Sequence, residues 1–173
     1  MRSRLVFLVL CICSLCGGEN FLTAQTKDSS LTVEPIGVQG IEHLLHNRSG
    51  KILFLNVWAT WCQPCVEEFP DIIRLYGQYH NAGVDFAAIS VDYPDEIESK
   101  ILPFIDSRSV PFKVYVTNIK KDEDFINALD SSWSGAVPAT FIIDANGKQK
   151  SAMYGQKPFN FFKTKIDSVL GSK

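Results

Sequence analysis

The stretch that decides the fold is Trp61-Cys62-Gln63-Pro64-Cys65, which holds two cysteines separated by two residues. It directly follows the apolar run Ile52–Trp58, whose length and composition predict a buried strand. Residues 66–79 come next and carry their apolar side chains at the spacing of an amphipathic helix. The cysteine pair therefore lies at a predicted strand-to-helix junction.

This junction favours a reactive thiol at Cys62. The first N–H groups of a helix have no partner within the helix, and the helix dipole is positive there, so negative charge is stabilised. A thiolate at Cys62 is therefore favoured, which makes this side chain a nucleophile near neutral pH. Cys65 lies one turn further along and is close enough to form a disulfide with Cys62. The pair thus has the arrangement needed for reversible thiol–disulfide exchange.

The rest of the chain alternates between short strands and helices, which predicts an α/β fold with parallel, right-handed crossovers. Further strands are predicted at 31–33, 84–91, 112–116, 139–144 and 150–154, and further helices at 39–47, 94–107, 120–130 and 158–170. Asn146-Gly147 predicts a tight hairpin turn between the last two strands. Because the chain has 173 residues in all, we expect a single domain, at residues 31–173.

The first 24 residues predict a secretory signal peptide that is not part of this domain. Arg2 and Arg4 precede an apolar stretch over residues 5–16, which is short for a membrane-spanning helix. Cleavage is expected after Ala24, and a retained N-terminal anchor is the alternative. Lipidation is disfavoured, because leucine or isoleucine precedes each cysteine of this segment, namely Cys11, Cys13 and Cys16.

Composition narrows the chemistry further. Of the five cysteines, only Cys62 and Cys65 lie beyond residue 24, and so small a ring adds little stability, so we expect the pair to serve reactivity. Removal of Arg2, Arg4 and Glu19 leaves 15 basic against 18 acidic residues, a net charge of about −3. This balance indicates neither a nucleic-acid surface nor a polybasic membrane face. No metal or other cofactor is expected, since a zinc site needs four ligands and the three histidines have no matching spacing.

Two segments resemble a known family. Residues 56–65, Asn-Val-Trp-Ala-Thr-Trp-Cys-Gln-Pro-Cys, followed by Glu67-Glu68-Phe69-Pro70, are similar to the active-site helix of the thioredoxin superfamily. Residues 135–144, Gly-Ala-Val-Pro-Ala-Thr-Phe-Ile-Ile-Asp, are similar to the segment that carries its cis-proline. With the predicted signal peptide, the two motifs resemble the exported TlpA/ResA-like branch, over roughly residues 36–170. The resemblance implies a thioredoxin-like α/β fold, with a central mixed β-sheet flanked by helices and a short N-terminal extension.

The resemblance also implies roles for the residues at the cysteine pair. Cys62 would be the attacking thiolate, and Cys65 would be the buried thiol that resolves the mixed disulfide. Trp61 would pack beside the pair and shape its rim. Gln63 and Pro64 would face the substrate and set the redox poise by tuning the thiolate.

A second group of implied site residues is distant in sequence. Pro138, through a cis Val137–Pro138 bond, would lie against the dithiol. The cis bond would turn the backbone of Val137 towards the substrate, where its N–H and C=O groups can pair with an extended partner segment. Trp133 shortly precedes this loop, and the sequence does not separate a core position from a place in a partner groove.

One departure from the resemblance concerns proton transfer. Thioredoxins proper carry a buried aspartate six residues before the first cysteine, where this chain has Asn56, which cannot accept a proton at neutral pH. Glu68 lies one helical turn after Cys65, so the two side chains can share a face. A carboxylate in an apolar setting has a raised pKa and can accept the proton of the resolving thiol. The alternative is that Glu68 is a solvated helix residue.

The expected function is thiol–disulfide exchange on other exported proteins in the reducing direction. Oxidised substrates are abundant outside the cytosol, and the TlpA/ResA-like resemblance implies reductants, often in cytochrome c maturation. The expected partners are extracytoplasmic client proteins, held through a transient mixed disulfide, and an upstream membrane thiol donor. We expect a monomer, located in the periplasm or elsewhere outside the cytoplasm.

Two other functions stay open at this point. One is a disulfide oxidase or isomerase that uses the same residues, and the other is a redox-inert binding module on the same fold. A peroxidatic site is disfavoured, because Thr60-Trp61-Cys62 lacks the spacing of proline and threonine that precedes the cysteine in such sites.

Overall fold

The computed structural model describes residues 32–171, which build one six-stranded β-sheet with helices on both faces. The strands are β1 (Val33–Ile36), β2 (Ile52–Trp58), β3 (Val84–Ser90), β4 (Lys113–Thr117), β5 (Ala139–Ile143) and β6 (Gln149–Tyr154). The helices are α1 (Val38–His46), α2 (Gln63–Tyr79), α3 (Leu102–Ser107), α4 (Asp122–Leu129) and α5 (Phe159–Leu170). The predicted signal peptide lies outside the described residues.

The sheet is mixed. Its strand order is β1-β4-β3-β2-β5-β6. The first four strands in this order run parallel to their neighbours, whereas β5 is antiparallel to both β2 and β6. The α/β fold with a mixed sheet flanked by helices is therefore confirmed.

Strand β2 lies inside the sheet and every one of its seven residues is buried. Its side chains alternate between two apolar cores, as the two-residue period of a strand requires. Ile52, Phe54 and Trp58 belong to the core beneath α2 and α5, and Leu53, Leu55 and Val57 belong to the core beneath α1 and α4. The same alternation points Asn56 towards α2.

Most boundaries differ from the predictions by one or two residues, and three differences are larger. Helix α2 begins at Gln63, three residues earlier than predicted, because Cys62 is its N-cap and a proline fits the first turn of a helix. The segment predicted as one helix at 94–107 is a 3₁₀ turn (Pro94–Glu96), a π turn (Ile97–Ile101) and then α3. Pro103 has no N–H and cannot make an α-helical bond. Just before it, the Leu102 N–H bonds to the Ile97 carbonyl five residues back, which is the pattern of a π turn.

The third difference concerns β1, which was predicted at 31–33 and lies at Val33–Ile36. Its bounds are set by parallel pairing with β4, from Val33 opposite Val114 to Ile36 opposite Thr117. Local sequence does not show such pairing, because Glu34 and Pro35 interrupt the apolar pattern. Among residues 32–171, no helix has the length and apolar character needed to cross a membrane.

Candidate active site

The two cysteines form a disulfide at the N-terminus of α2. Cys62 is the N-cap residue, and its Sγ accepts the Cys65 N–H at 3.3 Å. Pro64 occupies the first turn, where its missing N–H leaves no helical bond unmade. Cys65 has no exposed surface and Cys62 is 5% exposed, so the pair is a shielded sulfur site with Cys62 nearer to solvent.

The rim beside Cys62 consists of exposed side chains. Trp61 is 64% exposed, and Gln63 and Pro64 are also exposed. The Gln63 side-chain amide donates to Glu67 Oε1 at 2.9 Å, one turn further along α2. The indole of Trp61 is therefore the largest exposed apolar group on this rim.

The Val137–Pro138 peptide bond is cis, as the resemblance implies. Pro138 is buried, and its carbonyl accepts the Gly155 N–H at 2.8 Å, which ties the loop to the end of β6. Val137 packs against the apolar core that includes both cysteines. Within residues 32–171, the N–H and C=O groups of Val137 have no hydrogen-bond partner. They are therefore free to pair with a bound chain.

Glu68 is a buried carboxyl, 2% exposed, and so is not a solvated helix residue. Burial raises its pKa from the ordinary 4.5 to about 7, against the opposing effect of two hydrogen bonds that favour the carboxylate. The Asn56 amide donates to Oε1 at 2.9 Å, and the Lys157 N–H donates to Oε2 at 3.2 Å. A carboxyl with this pKa can take up and release a proton near neutral pH.

Asn56 connects Glu68 to the sheet. It is 1% exposed, and its amide nitrogen donates both to Glu68 and to the Thr140 hydroxyl at 3.0 Å. Its Oδ1 has no hydrogen-bond partner in the part of the chain that the structure describes. Asn56 therefore cannot act as the proton acceptor, but it holds the side chain that can.

Three carboxylates on α2 hold the loop before α5, a contact that sequence reasoning missed. Glu67 accepts the side-chain amide of Gln156 at 3.4 Å, Glu68 accepts the Lys157 N–H, and Asp71 accepts the Phe159 N–H at 3.0 Å. Two of these bonds go to backbone N–H groups, so the residue identities in the loop give no indication of them. These three bonds hold the loop at residues 156–159 against α2, beside Glu68.

Two further residues support the site, of which sequence reasoning missed Thr60 and left the place of Trp133 open. Thr60, two residues before Cys62, bonds through its N–H and its hydroxyl to the buried Asp92. Trp133 is 3% exposed, packs edge-on against Phe125 and Phe141, and donates its indole N–H to the Ala136 carbonyl at 2.9 Å. Trp133 is therefore a core residue that anchors the loop before the cis-proline.

A cavity of about 290 Å³ lies between Trp61, which directly precedes Cys62, and residues of α4 and of the loop before the cis-proline. Val91, Phe125 and Trp133 contribute apolar surface to it. Trp133 thus combines the two places left open by the sequence, since it belongs to the core and also borders this cavity.

These features define a class of protein: a thioredoxin-like fold with a disulfide whose first cysteine caps the N-terminus of a helix. Three solved structures have the same fold. Two are from Chlorobium tepidum, a thiol:disulfide interchange protein of the thioredoxin family and a putative thiol:disulfide interchange protein DsbE. The third is StoA from Bacillus subtilis. Their TM-scores are 0.62, 0.60 and 0.54, and their identities are 23%, 23% and 16%. The matches cover 72%, 72% and 68% of this chain and 83%, 84% and 84% of those chains.

Sequence comparison gives the family. The model of the AhpC/TSA family matches residues 24–151. The thiol-disulfide oxidoreductase ResA of Geobacillus thermodenitrificans is 31% identical over 98% of this chain and 94% of its own length. The ResA of Bacillus subtilis is 35% identical over 64% of this chain and 57% of its own length. The chain belongs to the AhpC/TSA family and, within it, to the thiol-disulfide oxidoreductases of the ResA type.

Proposed function

We propose that this protein reduces disulfides of other exported proteins through the Cys62–Cys65 dithiol. The observation that carries the proposal is the buried Glu68, whose pKa burial raises to about 7, one helical turn beyond Cys65. A redox-inert module has no need of a proton acceptor that is matched to neutral pH. Glu68 would therefore serve the step in which Cys65 loses its proton.

The reaction consists of two displacements at sulfur. The reduced Cys62 thiolate attacks one sulfur of the client disulfide, and the other client sulfur leaves as a thiolate that takes up a proton. Cys65 then transfers its proton to the Glu68 carboxylate and attacks Cys62 Sγ. The client is released as a dithiol and the Cys62–Cys65 disulfide forms, so two electrons pass from this protein to the client.

Client binding would use the groups that surround the disulfide. The free N–H and C=O groups of Val137 can pair with an extended client segment, as the edge of a sheet does. Trp61, Gln63 and Pro64 are exposed beside Cys62 and would contact the same segment. Because backbone pairing does not depend on side chains, this geometry supports action on more than one client sequence.

The place of action and the partners are part of the proposal. The basic residues and apolar run at the start of the chain support export, with the protein monomeric in the periplasm or another extracytoplasmic space, free or anchored through its N-terminus. Reduction there requires an upstream membrane thiol donor, because each turnover leaves the pair oxidised. The TlpA/ResA-like resemblance supports cytochromes c in maturation as one class of client.

The test is the reduction potential of the Cys62–Cys65 pair in the folded protein, measured by equilibration in glutathione or dithiothreitol buffers. A potential near or below about −270 mV supports a reductase. A potential near about −120 mV supports the oxidase alternative with the same site. A disulfide that stays closed in dithiothreitol while the protein remains folded supports the redox-inert module. The Cys65→Ser variant, which cannot form the ring, is the control for each titration.

A further inference from the structure

The end of β3 is followed by a buried carboxylate that the proposed mechanism does not use. Asp92 is 2% exposed. Its Oδ2 accepts the Thr60 N–H at 2.9 Å and its Oδ1 accepts the Thr60 hydroxyl at 2.6 Å. The Ser90 hydroxyl also donates to Oδ2. All three donors are neutral, and among residues 32–171 no Lys, Arg or His nitrogen lies within 4.0 Å of the Asp92 carboxylate.

We propose that Asp92 is a positioning residue for the attacking cysteine and acts through Thr60. The inference rests on the proposed function, since it adds a supporting residue to the same site. It concerns the placement of Cys62 and not the identity of the client.

The first step of the argument is the register of the sheet. Parallel pairing of β2 and β3 ends with Trp58 opposite Ser90, and the Val91 N–H still donates to the Trp58 carbonyl at 2.8 Å. Beyond this point the two backbones separate, because the chain turns to begin α2. Two residues further along each strand, the Asp92 side chain bonds both donors of Thr60 and so continues the link that the backbones no longer make.

The second step leads from Thr60 to the sulfur. The Cys62 N–H bonds to the Ala59 carbonyl at 3.2 Å, so residues 59–62 form a tight turn. Trp61 lies at the exposed part of this turn and gives it little anchorage. The bonds between Thr60 and Asp92 therefore hold the turn in place, and the turn sets where Cys62 Sγ lies relative to the first N–H groups of α2.

The third step is the need for a carboxylate. A carboxylate only accepts hydrogen bonds, which suits three donors directed at one group. An asparagine at position 92 would present an NH₂ group to at least one of them. Loss of these bonds would loosen the turn, move the reduced Cys62 sulfur away from the helix terminus and make its thiolate less favoured.

If Asp92 acted on Cys62 only through its negative charge, its removal would change the stability of the Cys62 thiolate in the opposite direction. Removal of a negative charge near Cys62 makes the thiolate more favoured. Asp92→Asn changes both the charge and the bonds, whereas Thr60→Val removes one donor to Asp92 and leaves the charge in place. Thr60→Val is therefore the decisive variant, and Thr60→Ser restores the hydroxyl.

The experiment is the pH dependence of Cys62 alkylation by iodoacetamide in the reduced full-length protein, read on the Cys62 peptide by mass spectrometry. Thr60→Val is expected to move the midpoint of alkylation to higher pH and to slow alkylation at pH 7 roughly three- to tenfold. Thr60→Ser is expected to match the wild type, and Asp92→Asn to shift in the same direction as Thr60→Val. Thermal unfolding of each variant shows that the fold is retained, and Thr60→Val decides the matter if Asp92→Asn does not fold.

The matched control is Thr117→Val, the same substitution at a threonine whose hydroxyl accepts the Ile119 N–H and makes no bond to Asp92 within residues 32–171. It is expected to leave Cys62 alkylation unchanged. The positioning role is overturned if Thr60→Val is alkylated with the same pH dependence as the wild type. It is also overturned if Thr60→Ser shows the profile expected of Thr60→Val instead of the wild-type profile. Client reduction is measured separately with the wild type, so a protein that reduces no client would contradict the proposed function while the alkylation profiles still decide the role of Asp92.

Discussion

Two buried carboxyl groups flank the active site, and they are held in different ways. Asp92 accepts three hydrogen bonds, all from hydroxyl or backbone donors of Thr60 and Ser90. Glu68 accepts two, from the Asn56 amide and the Lys157 N–H, and burial raises its pKa to about 7. The comparison shows that a buried carboxyl can serve to hold a turn in place, as at Asp92, or can be able to take up a proton near neutral pH, as at Glu68, where burial outweighs the hydrogen bonds that favour the carboxylate.

The largest effect expected from the difference between the two carboxyl groups is on the free energy of unfolding, through Glu68. The pKa of Glu68 is raised from its ordinary value of 4.5 to about 7 in the folded protein. Between these two pH values the folded protein keeps a proton on Glu68 that the unfolded chain has released. This contribution to stability is fully present below pH 4.5 and is lost as pH rises to about 7, by up to about 3 kcal/mol. Denaturant unfolding of the oxidised protein between pH 4 and 8 measures it, and Glu68→Gln is expected to be the more stable protein above pH 7.

The exposed Glu67 is the matched control for that experiment. Glu67→Gln changes the same chemical group one residue away and keeps Glu68 buried. It is expected to follow the wild-type dependence on pH. A Glu68→Gln profile that coincides with the wild type would show that Glu68 has an ordinary pKa.

The next effect is on turnover. Glu68→Gln is expected to slow client reduction at pH 7 by roughly 10²-fold, because Cys65 loses its proton acceptor in the resolving step. In the wild type the resolving rate should rise with pH through about 7, as Glu68 becomes deprotonated, and this inflection should vanish in the variant. Single-turnover kinetics with a preformed mixed disulfide at Cys62 isolate the step. An unchanged inflection would assign proton transfer to another group.

A smaller effect is expected from Asn56→Leu, which removes a hydrogen bond of 2.9 Å to the Glu68 carboxylate. Because that bond favours the charged form, its loss should raise the pKa of Glu68 further and move the inflection of the resolving rate to higher pH. The carboxyl carbon of Glu68, followed by NMR through a pH titration, reports the change directly. A shift to lower pH would mean that Asn56 does not favour the carboxylate.

The smallest effect concerns the loop before the cis-proline. Trp133→Phe keeps an aromatic ring between Phe125 and Phe141 and removes the bond to the Ala136 carbonyl. The expected cost is about 1 kcal/mol of unfolding free energy, with a modest rise in the KM for client and little change in kcat. A fall in kcat by the same factor as the rise in KM would show that Trp133 takes part in the chemistry of the site and does not only support its loop.

Sequence reasoning located the candidate site residues whose placement follows from local position. Cys62 and Cys65 were identified because a strand-to-helix junction has one chemical consequence for a thiol, and Glu68 because residues three apart share a helix face. Asp92 was missed because a carboxylate just after a strand has the same pattern whether it is solvated or buried. The carboxylates at 67 and 71 were missed because their partners are a distant side-chain amide and a distant backbone N–H, at positions 156 and 159.

The amino-acid sequence alone determined the alternation of strands and helices and the placement of the cysteine pair at a helix N-terminus, which follow from local periods and local electrostatics. The cis bond at Pro138 was expected from the family resemblance and not from any local pattern. The tertiary structure alone decided that Glu68 is buried with a pKa of about 7, that Asn56 holds it, and that Asp92 holds Thr60. Each of these depends on contacts between residues at least 12 positions apart, and burial of a charge is a property of the packed core that no local pattern contains.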